Sequence, residues 1–189
     1  DWRIRHEHTD RDCVNHDYQM AIYQGHGWTH RWNWPGTFCV LSYKNEPVMS
    51  DTGLERWSNL EVLYQAYGDV LIGGLGIGMV PLALLKIPEV STITVVESSP
   101  EVIEMVGPYI PSHVSIIQSD VFSYQPDRKY DTIYIDIWST ICADHWEQMK
   151  VLGAKYRRHL SRNGIKPWFG CWLKEYMQAE YYRGGINHE

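Results

Sequence analysis

The sequence predicts an α/β fold in which helices flank a parallel sheet, preceded by an N-terminal β-hairpin. Three observations support this prediction. From Asp69 onward, short apolar strands alternate with helical segments, an order typical of parallel sheets with helical crossovers. These strands are almost continuously apolar, as expected where helices cover both faces of a sheet. A glycine-rich turn, residues 74–78, directly follows the first of them.

The alternating region accounts for most of the predicted elements. The strands are expected at residues 70–72, 92–96, 114–117 and 130–136, and helices at residues 78–86 and 143–159. Another helix should begin at Ser99-Pro100-Glu101, because this sequence combines a cap, a proline at the first helical position and a first-turn carboxylate.

The residues before Asp69 predict a hairpin followed by a helix. Two β-rich runs, residues 37–43 and 48–50, flank a turn at Asn45-Glu46-Pro47. The helix is expected to be capped by Ser58 or Asn59 and to end near residue 66.

These assignments divide the chain into two parts that together should form one globular unit. The first, residues 1–68, holds the hairpin and its helix, and the second, residues 69–189, holds the core and an aromatic tail. No further strand is evident after about residue 163, so the C-terminal half is predicted to be shortened. A homodimer could cover the resulting sheet edge.

Composition limits the classes of function. Of 189 residues, 44% are apolar and 21% charged, which is ordinary for a globular protein. A net charge of −6 argues against a general affinity for nucleic acid. No apolar run approaches the roughly 18 residues of a membrane span. No signal peptide is visible and the four cysteines form no Cys-x-x-Cys, which together predict a cytoplasmic protein with reduced thiols.

The N-terminal segment is rich in possible metal ligands, but none has the spacing of a structural zinc site. We therefore expect no metal here and interpret these side chains as surface or capping groups. The residues concerned are His6, His8, Asp10, Asp12, Cys13, His16, His26 and His30.

The glycine-rich turn indicates a class of ligand. Side-chain-free backbone after a buried strand allows close approach of a nucleotide, and Glu97, about 20 residues later, is placed to accept hydrogen bonds from ribose hydroxyls. The dinucleotide fingerprint requires a third glycine where this chain has Met79. The spacing of Gly74, Gly76 and Gly78 instead resembles motif I of class I methyltransferases that use S-adenosylmethionine (SAM). A dinucleotide, or a turn that serves packing alone, remains as an alternative.

Ligands of open α/β sheets bind beyond the carboxyl ends of the strands. There, Asp120 and the backbone of Val121 would meet the adenine, and Asp136 would face the sulfonium and the acceptor as a base or charge partner. The alternatives are that Asp120 is a turn residue and that Asp136 caps a helix. The predicted cofactor-binding residues are Gly74, Leu75, Gly76, Gly78, Glu97, Ser98, Asp120, Val121 and Asp136.

The stretch at residues 48–138 resembles the class I SAM-dependent methyltransferase core, and in detail the spermidine synthase-like branch. The whole chain is similar to small bacterial and phage methyltransferase-like proteins, which share the motifs VMSDT, GLGxGM, DIW and ICAD. The resemblance implies a Rossmann-like SAM-binding fold. It also implies that Asp136 and Trp138 form the acceptor side of the catalytic site, and that Asp51 and Glu55 contact substrate. Core packing is the alternative role for Trp138.

Two departures from that branch bear on the reaction. Aminopropyltransferases have Gln where this chain has Met49, and a second Asp where it has Ser139. The first hypothesis is therefore a SAM-dependent methyltransferase acting on a small molecule. The alternatives are aminopropyl transfer or another SAM cleavage, and a non-catalytic module that binds an adenosyl ligand.

Overall fold

The computed structural model describes residues 1–9, 35–140, 142–162 and 166–185. The chain clusters into two compact units, Asp1–Leu60 and Glu61–Glu189.

Of the possible metal ligands in the N-terminal segment, His6 and His8 fall within the described ranges. The others lie outside the described residues: Asp10, Asp12, Cys13, His16, His26 and His30.

The first unit contains a three-stranded antiparallel sheet in the order β1–β2–β3. Its strands are β1 (Trp2–Thr9), β2 (Gly36–Tyr43) and β3 (Glu46–Ser50). The predicted hairpin is confirmed as β2–β3, with a tighter turn than expected: Lys44 and Asn45 both have positive φ, as two-residue hairpin turns require. The sequence did not predict β1, whose side chains are mostly exposed and therefore lack an alternating apolar pattern.

Two short helices follow the sheet where one was predicted. They are α1 (Gly53–Ser58) and α2 (Leu60–Gln65), separated at Asn59. Asn59 donates its side-chain amide to the carbonyl oxygen of Glu55, and Ser58 donates its hydroxyl to the same oxygen. These side-chain bonds terminate α1 one residue before α2 begins.

The second unit confirms the predicted α/β class. Its five strands are all parallel, in the order β6–β5–β4–β7–β8. The strands are β4 (Gly68–Gly73), β5 (Val90–Glu97), β6 (Ser115–Gln118), β7 (Thr132–Ile135) and β8 (Trp168–Cys171). The helices are α3 (Met79–Leu84), α4 (Pro100–Val106), α5 (Ala143–Tyr156) and α6 (Lys174–Gly185), with 3-10 turns at Gly107–Tyr109 and Arg157–His159.

Strand β8 and helix α6 occupy the aromatic tail that the sequence left without an assignment. Strand β8 pairs with β7, and the Trp168 ring stacks on Tyr134 with a centroid distance of 6.0 Å. A side chain at Gly170 would collide with the Trp168 ring, whose Cη2 lies 2.1 Å from the Cβ position. None of the helices in the described ranges combines the length and the apolar character that a membrane span needs.

The strand order reverses at β4, in the middle of the sheet. From β4 the chain builds outward through β5 and β6, then returns to add β7 and β8 on the other side of β4. Such a reversal of strand order opens a crevice beyond the carboxyl ends of the two strands involved. Here the two strands are β4 and β7, whose central residues are buried: Val70, Leu71, Ile72, Ile133, Tyr134 and Ile135.

Candidate functional site

The strand register aligns the predicted cofactor residues of the second unit along one edge of the sheet. Gly73 pairs with Val96 of β5 and with Ile135 of β7, and Glu97 pairs with Gln118 of β6. The four strands therefore end at similar heights. The glycine-rich turn, Glu97, the turn at Asp120 and the Asp136 segment each follow one of these ends.

The glycine-rich turn packs directly against the segment after β7. Gly74, Gly76 and Gly78 all have positive φ, between 51° and 101°. The Gly74 N–H donates to the carbonyl oxygen of Val96 at 2.8 Å. A Cβ at Gly74 would lie 2.0 Å from the carbonyl oxygen of Asp136, so only glycine permits this approach.

Glu97 joins the end of β5 to the glycine-rich turn. Its Oε2 accepts the N–H of Leu75 at 2.9 Å, and its Oε1 accepts the N–H of Ser99 at 2.8 Å. The Ser98 hydroxyl lies at a longer 3.5 Å from Oε1. Because a carboxylate offers about four acceptor positions, Glu97 keeps capacity for hydroxyl donors of a ligand.

The turn after β6 leaves a donor and an acceptor side by side. Asp120 Oδ1 accepts the N–H of Phe122 at 2.9 Å, and the Asp120 carbonyl accepts the N–H groups of Ser123 and Tyr124. Among the residues that the structure describes, the Val121 N–H and Asp120 Oδ2 have no protein partner. A ligand edge that offers one acceptor and one donor would satisfy both groups.

Asp136 is half-buried and directly follows β7. Its N–H donates to the carbonyl oxygen of Gly73 at 2.7 Å. Burial raises the pKa of the nearby Cys171 thiol to about 12, and the Asp136 carboxylate adds to this shift. A thiol with that pKa is not a nucleophile at neutral pH.

Trp138 is buried, with 6% of its surface exposed. Its indole N–H donates to Gln148 Oε1 at 2.8 Å, and its ring lies against His145. The indole N–H is therefore already engaged, and Trp138 can offer a ligand only part of its ring. Two exposed apolar side chains that the sequence did not single out adjoin the site residues: Phe122 follows Val121, and Ile137 follows Asp136.

The two predicted substrate residues lie in the first unit and differ in their surroundings. Asp51 Oδ1 accepts the N–H of Cys39 at 2.8 Å, and Oδ2 pairs with the Arg56 guanidinium at 3.2 Å. Asp51 is thus engaged within its own unit. Glu55 is half-buried in α1, has no ion pair with a described residue, and has its pKa raised by burial to about 7.

The raised pKa of Glu55 predicts a pH-dependent stability. The folded-state pKa of about 7 exceeds the ordinary value of 4.5. The contribution of Glu55 to the free energy of unfolding is therefore greatest below pH 4.5 and is lost as the pH rises through 7. Glu55→Gln removes the charge, so this variant should gain about 1–2 kcal/mol over the wild type between pH 5 and pH 8, allowing for partial exposure. Urea unfolding at both pH values measures this. Glu46→Gln, an exposed carboxylate of β3, is the matched control, and an equal response of both variants would contradict the prediction.

No group of three His, Cys, Asp or Glu side chains in the described part of the chain could hold a metal ion.

No family model matches this sequence. No curated protein matches it either. The structure is similar to a DhpI complex with S-adenosylhomocysteine (24% identity, TM-score 0.47), over 58% of this chain and 52% of that chain. It is also similar to the N-methyltransferase NodS from Bradyrhizobium japonicum WM9 with S-adenosylhomocysteine (19%, 0.47), over 58% of each chain. A third match is the glycopeptide N-methyltransferase MtfA with SAM (21%, 0.44), over 58% of this chain and 46% of that chain. This chain thus aligns with only about half of the DhpI and MtfA structures.

Proposed function

We propose that the second unit binds SAM and transfers its methyl group to a small-molecule acceptor. The bond between Glu97 and the Leu75 N–H is the observation that carries this proposal. It holds a carboxylate with spare acceptor capacity against a glycine-rich turn, at the carboxyl edge of a parallel sheet. Adenosyl ligands need that combination, because their ribose hydroxyls are donors and their chain must approach the backbone closely.

The remaining groups fit the rest of the ligand. The Val121 N–H can donate to a ring nitrogen of adenine while Asp120 Oδ2 accepts from its exocyclic amine. The N–H groups of Gly76 and Ile77 have no partner among the described residues, and they can receive the carboxylate of the methionyl part. The adenine edge, the ribose hydroxyls and the methionyl carboxylate would thus each meet groups of matching hydrogen-bonding character.

Methyl transfer from SAM requires few catalytic groups of the protein. The sulfonium of SAM supplies an electrophilic methyl group, so the protein mainly has to align the acceptor with it. Asp136, at the crevice, would accept the proton of an amine or hydroxyl acceptor and stabilise a cationic one. Trp138 would contribute a wall to the acceptor side. The assignment of Asp51 and Glu55 to substrate binding stays a prediction from the sequence, and the Asp51 carboxylate already pairs with Arg56.

Calorimetric titration of the purified protein tests the proposal. The ligands are SAM, S-adenosylhomocysteine, decarboxylated SAM, methylthioadenosine and NAD. We expect micromolar binding of the first two and none of NAD. A preference for decarboxylated SAM or methylthioadenosine would replace methyl transfer by aminopropyl chemistry. Binding of SAM without turnover of any acceptor would favour a non-catalytic module, and failure of every adenosyl ligand to bind would overturn the proposal.

A further inference from the structure

The turn after β6 rests on the end of helix α5. Lys155 Nζ donates to the carbonyl oxygens of Val121 and Phe122, at 3.2 and 2.8 Å. The Tyr156 hydroxyl donates to the Val121 carbonyl at 2.8 Å. Tyr156 is completely buried, so its ring cannot move away from this bond without disturbing the core. Three hydrogen bonds from α5 therefore hold two successive carbonyl groups of the turn.

These bonds place one peptide group between two opposite charges. The peptide that joins Val121 to Phe122 receives the Lys155 ammonium at its oxygen and donates its N–H to Asp120 Oδ1. A cation at the oxygen and a carboxylate at the N–H polarise the amide in the same sense, which strengthens both hydrogen bonds. The two charges also interact directly: burial lowers the pKa of Lys155, and the Asp120 carboxylate opposes that shift.

These bonds restrain the two groups of the turn that have no partner among the described residues, Asp120 Oδ2 and the Val121 N–H. With Oδ1 held by the Phe122 N–H, the Asp120 carboxylate has a defined orientation and presents Oδ2. With the Val121 carbonyl held from α5, the backbone on either side of Val121 is restrained, including its own N–H. An acceptor and a donor are thus fixed at the spacing that the turn imposes.

We propose that Lys155 and Tyr156 are positioning residues for base recognition. They hold the turn so that Asp120 Oδ2 and the Val121 N–H read the edge of an adenine, and neither touches the ligand. This inference rests on the proposed adenosyl function. It extends that function to two residues of α5 that lie 33 to 35 positions further along the chain from the carbonyl groups they bind.

Three variants test the inference. Lys155→Met removes the charge but keeps the length of the side chain, and Tyr156→Phe removes only the hydroxyl, so both should fold. Lys150→Met is the matched control, because Lys150 is exposed on the same helix and pairs with Glu147 rather than with the turn.

The first measurement needs no ligand. Amide hydrogen exchange by NMR should show the Phe122 N–H exchanging about tenfold faster in Lys155→Met than in the wild type, because its bond to Asp120 is weakened. Exchange of the β4 and β5 amides should be unchanged. The Lys150→Met protein should exchange like the wild type throughout.

The second measurement compares S-adenosylhomocysteine with its hypoxanthine counterpart. Hypoxanthine has an oxygen in place of the amine and an N–H in place of the ring acceptor, so it mismatches both groups of the turn. The wild type should prefer adenine by about a hundredfold or more. Lys155→Met and Tyr156→Phe should each reduce this preference by about tenfold, whereas a purely structural role would weaken both ligands equally.

The outcomes separate the inference from the function on which it rests. Faster Phe122 exchange together with a reduced preference supports the inference. Unchanged exchange in both variants overturns it, as does a preference that stays at the wild-type value. Faster exchange in a protein that binds no adenosyl ligand supports the anchoring by α5 and overturns the proposed function.

Discussion

Replacing Gly74 by alanine should lower the free energy of unfolding by about 2–4 kcal/mol and abolish binding of S-adenosylhomocysteine. Two causes act together. The φ of +101° is one that residues with a Cβ rarely adopt. The added Cβ would also lie 2.0 Å from the Asp136 carbonyl oxygen, which is backbone and cannot rotate away. Relief requires the turn to separate from the segment after β7, and that movement displaces Leu75 from Glu97.

Urea unfolding and calorimetric titration measure the two effects. Gly107→Ala is the matched control, because its φ of −51° suits any residue and its Cβ would meet neighbours only at 3.8 Å. That variant should change stability by no more than about 0.5 kcal/mol. A Gly74→Ala protein with wild-type stability and affinity would show that the turn does not make this close approach.

Replacing Glu97 by alanine should weaken binding of S-adenosylhomocysteine by about 1–3 kcal/mol, roughly fivefold to 150-fold. The variant loses an acceptor for the ribose hydroxyls. It also leaves the N–H groups of Leu75 and Ser99 without their acceptor, which should lower the free energy of unfolding by about 1–3 kcal/mol. Affinity and stability should therefore fall together.

A ligand that lacks a ribose hydroxyl separates the two effects of Glu97→Ala. If Glu97 binds the ribose, removing the 2′-hydroxyl should weaken binding to the wild type but cost little further affinity in the variant. Equal losses in both proteins would show that Glu97 only supports the turn. Glu101→Gln is the control, since this exposed carboxylate accepts from the Ser99 hydroxyl and contacts neither the turn nor the Leu75 N–H.

Local patterns in the sequence were sufficient to predict most helices and strands of the second unit. The central strands are apolar because both faces are covered, and that property is visible in the residues themselves. The start of α4 was also predicted from the sequence. The Ser99 hydroxyl oxygen accepts the Val102 N–H at 3.3 Å, as its capping role requires. Helix α5 and its following 3-10 turn together span the residues predicted as one helix.

The strands that the sequence did not reveal depend on distant partners. Strand β1 has mostly exposed side chains and exists because it pairs along its whole length with β2, more than 25 residues away. Strand β8 has only four residues and includes Gly170, a poor strand former. Its place is decided by β7, which offers a free edge and a ring at Tyr134 on which Trp168 stacks.

The sequence by itself determined the fold class and predicted the residues of the candidate site, because strand endings, glycine spacing and carboxylates are local features. Only the tertiary structure decided how these groups connect. It joined Glu97 to Leu75 and the Asp136 segment to Gly74, and it distinguished Asp51, paired with Arg56, from Glu55. It also brought Lys155 beneath the turn at Asp120. The physical reason is that hydrogen bonds and close approaches between distant residues depend on strand order and register, which no local pattern encodes.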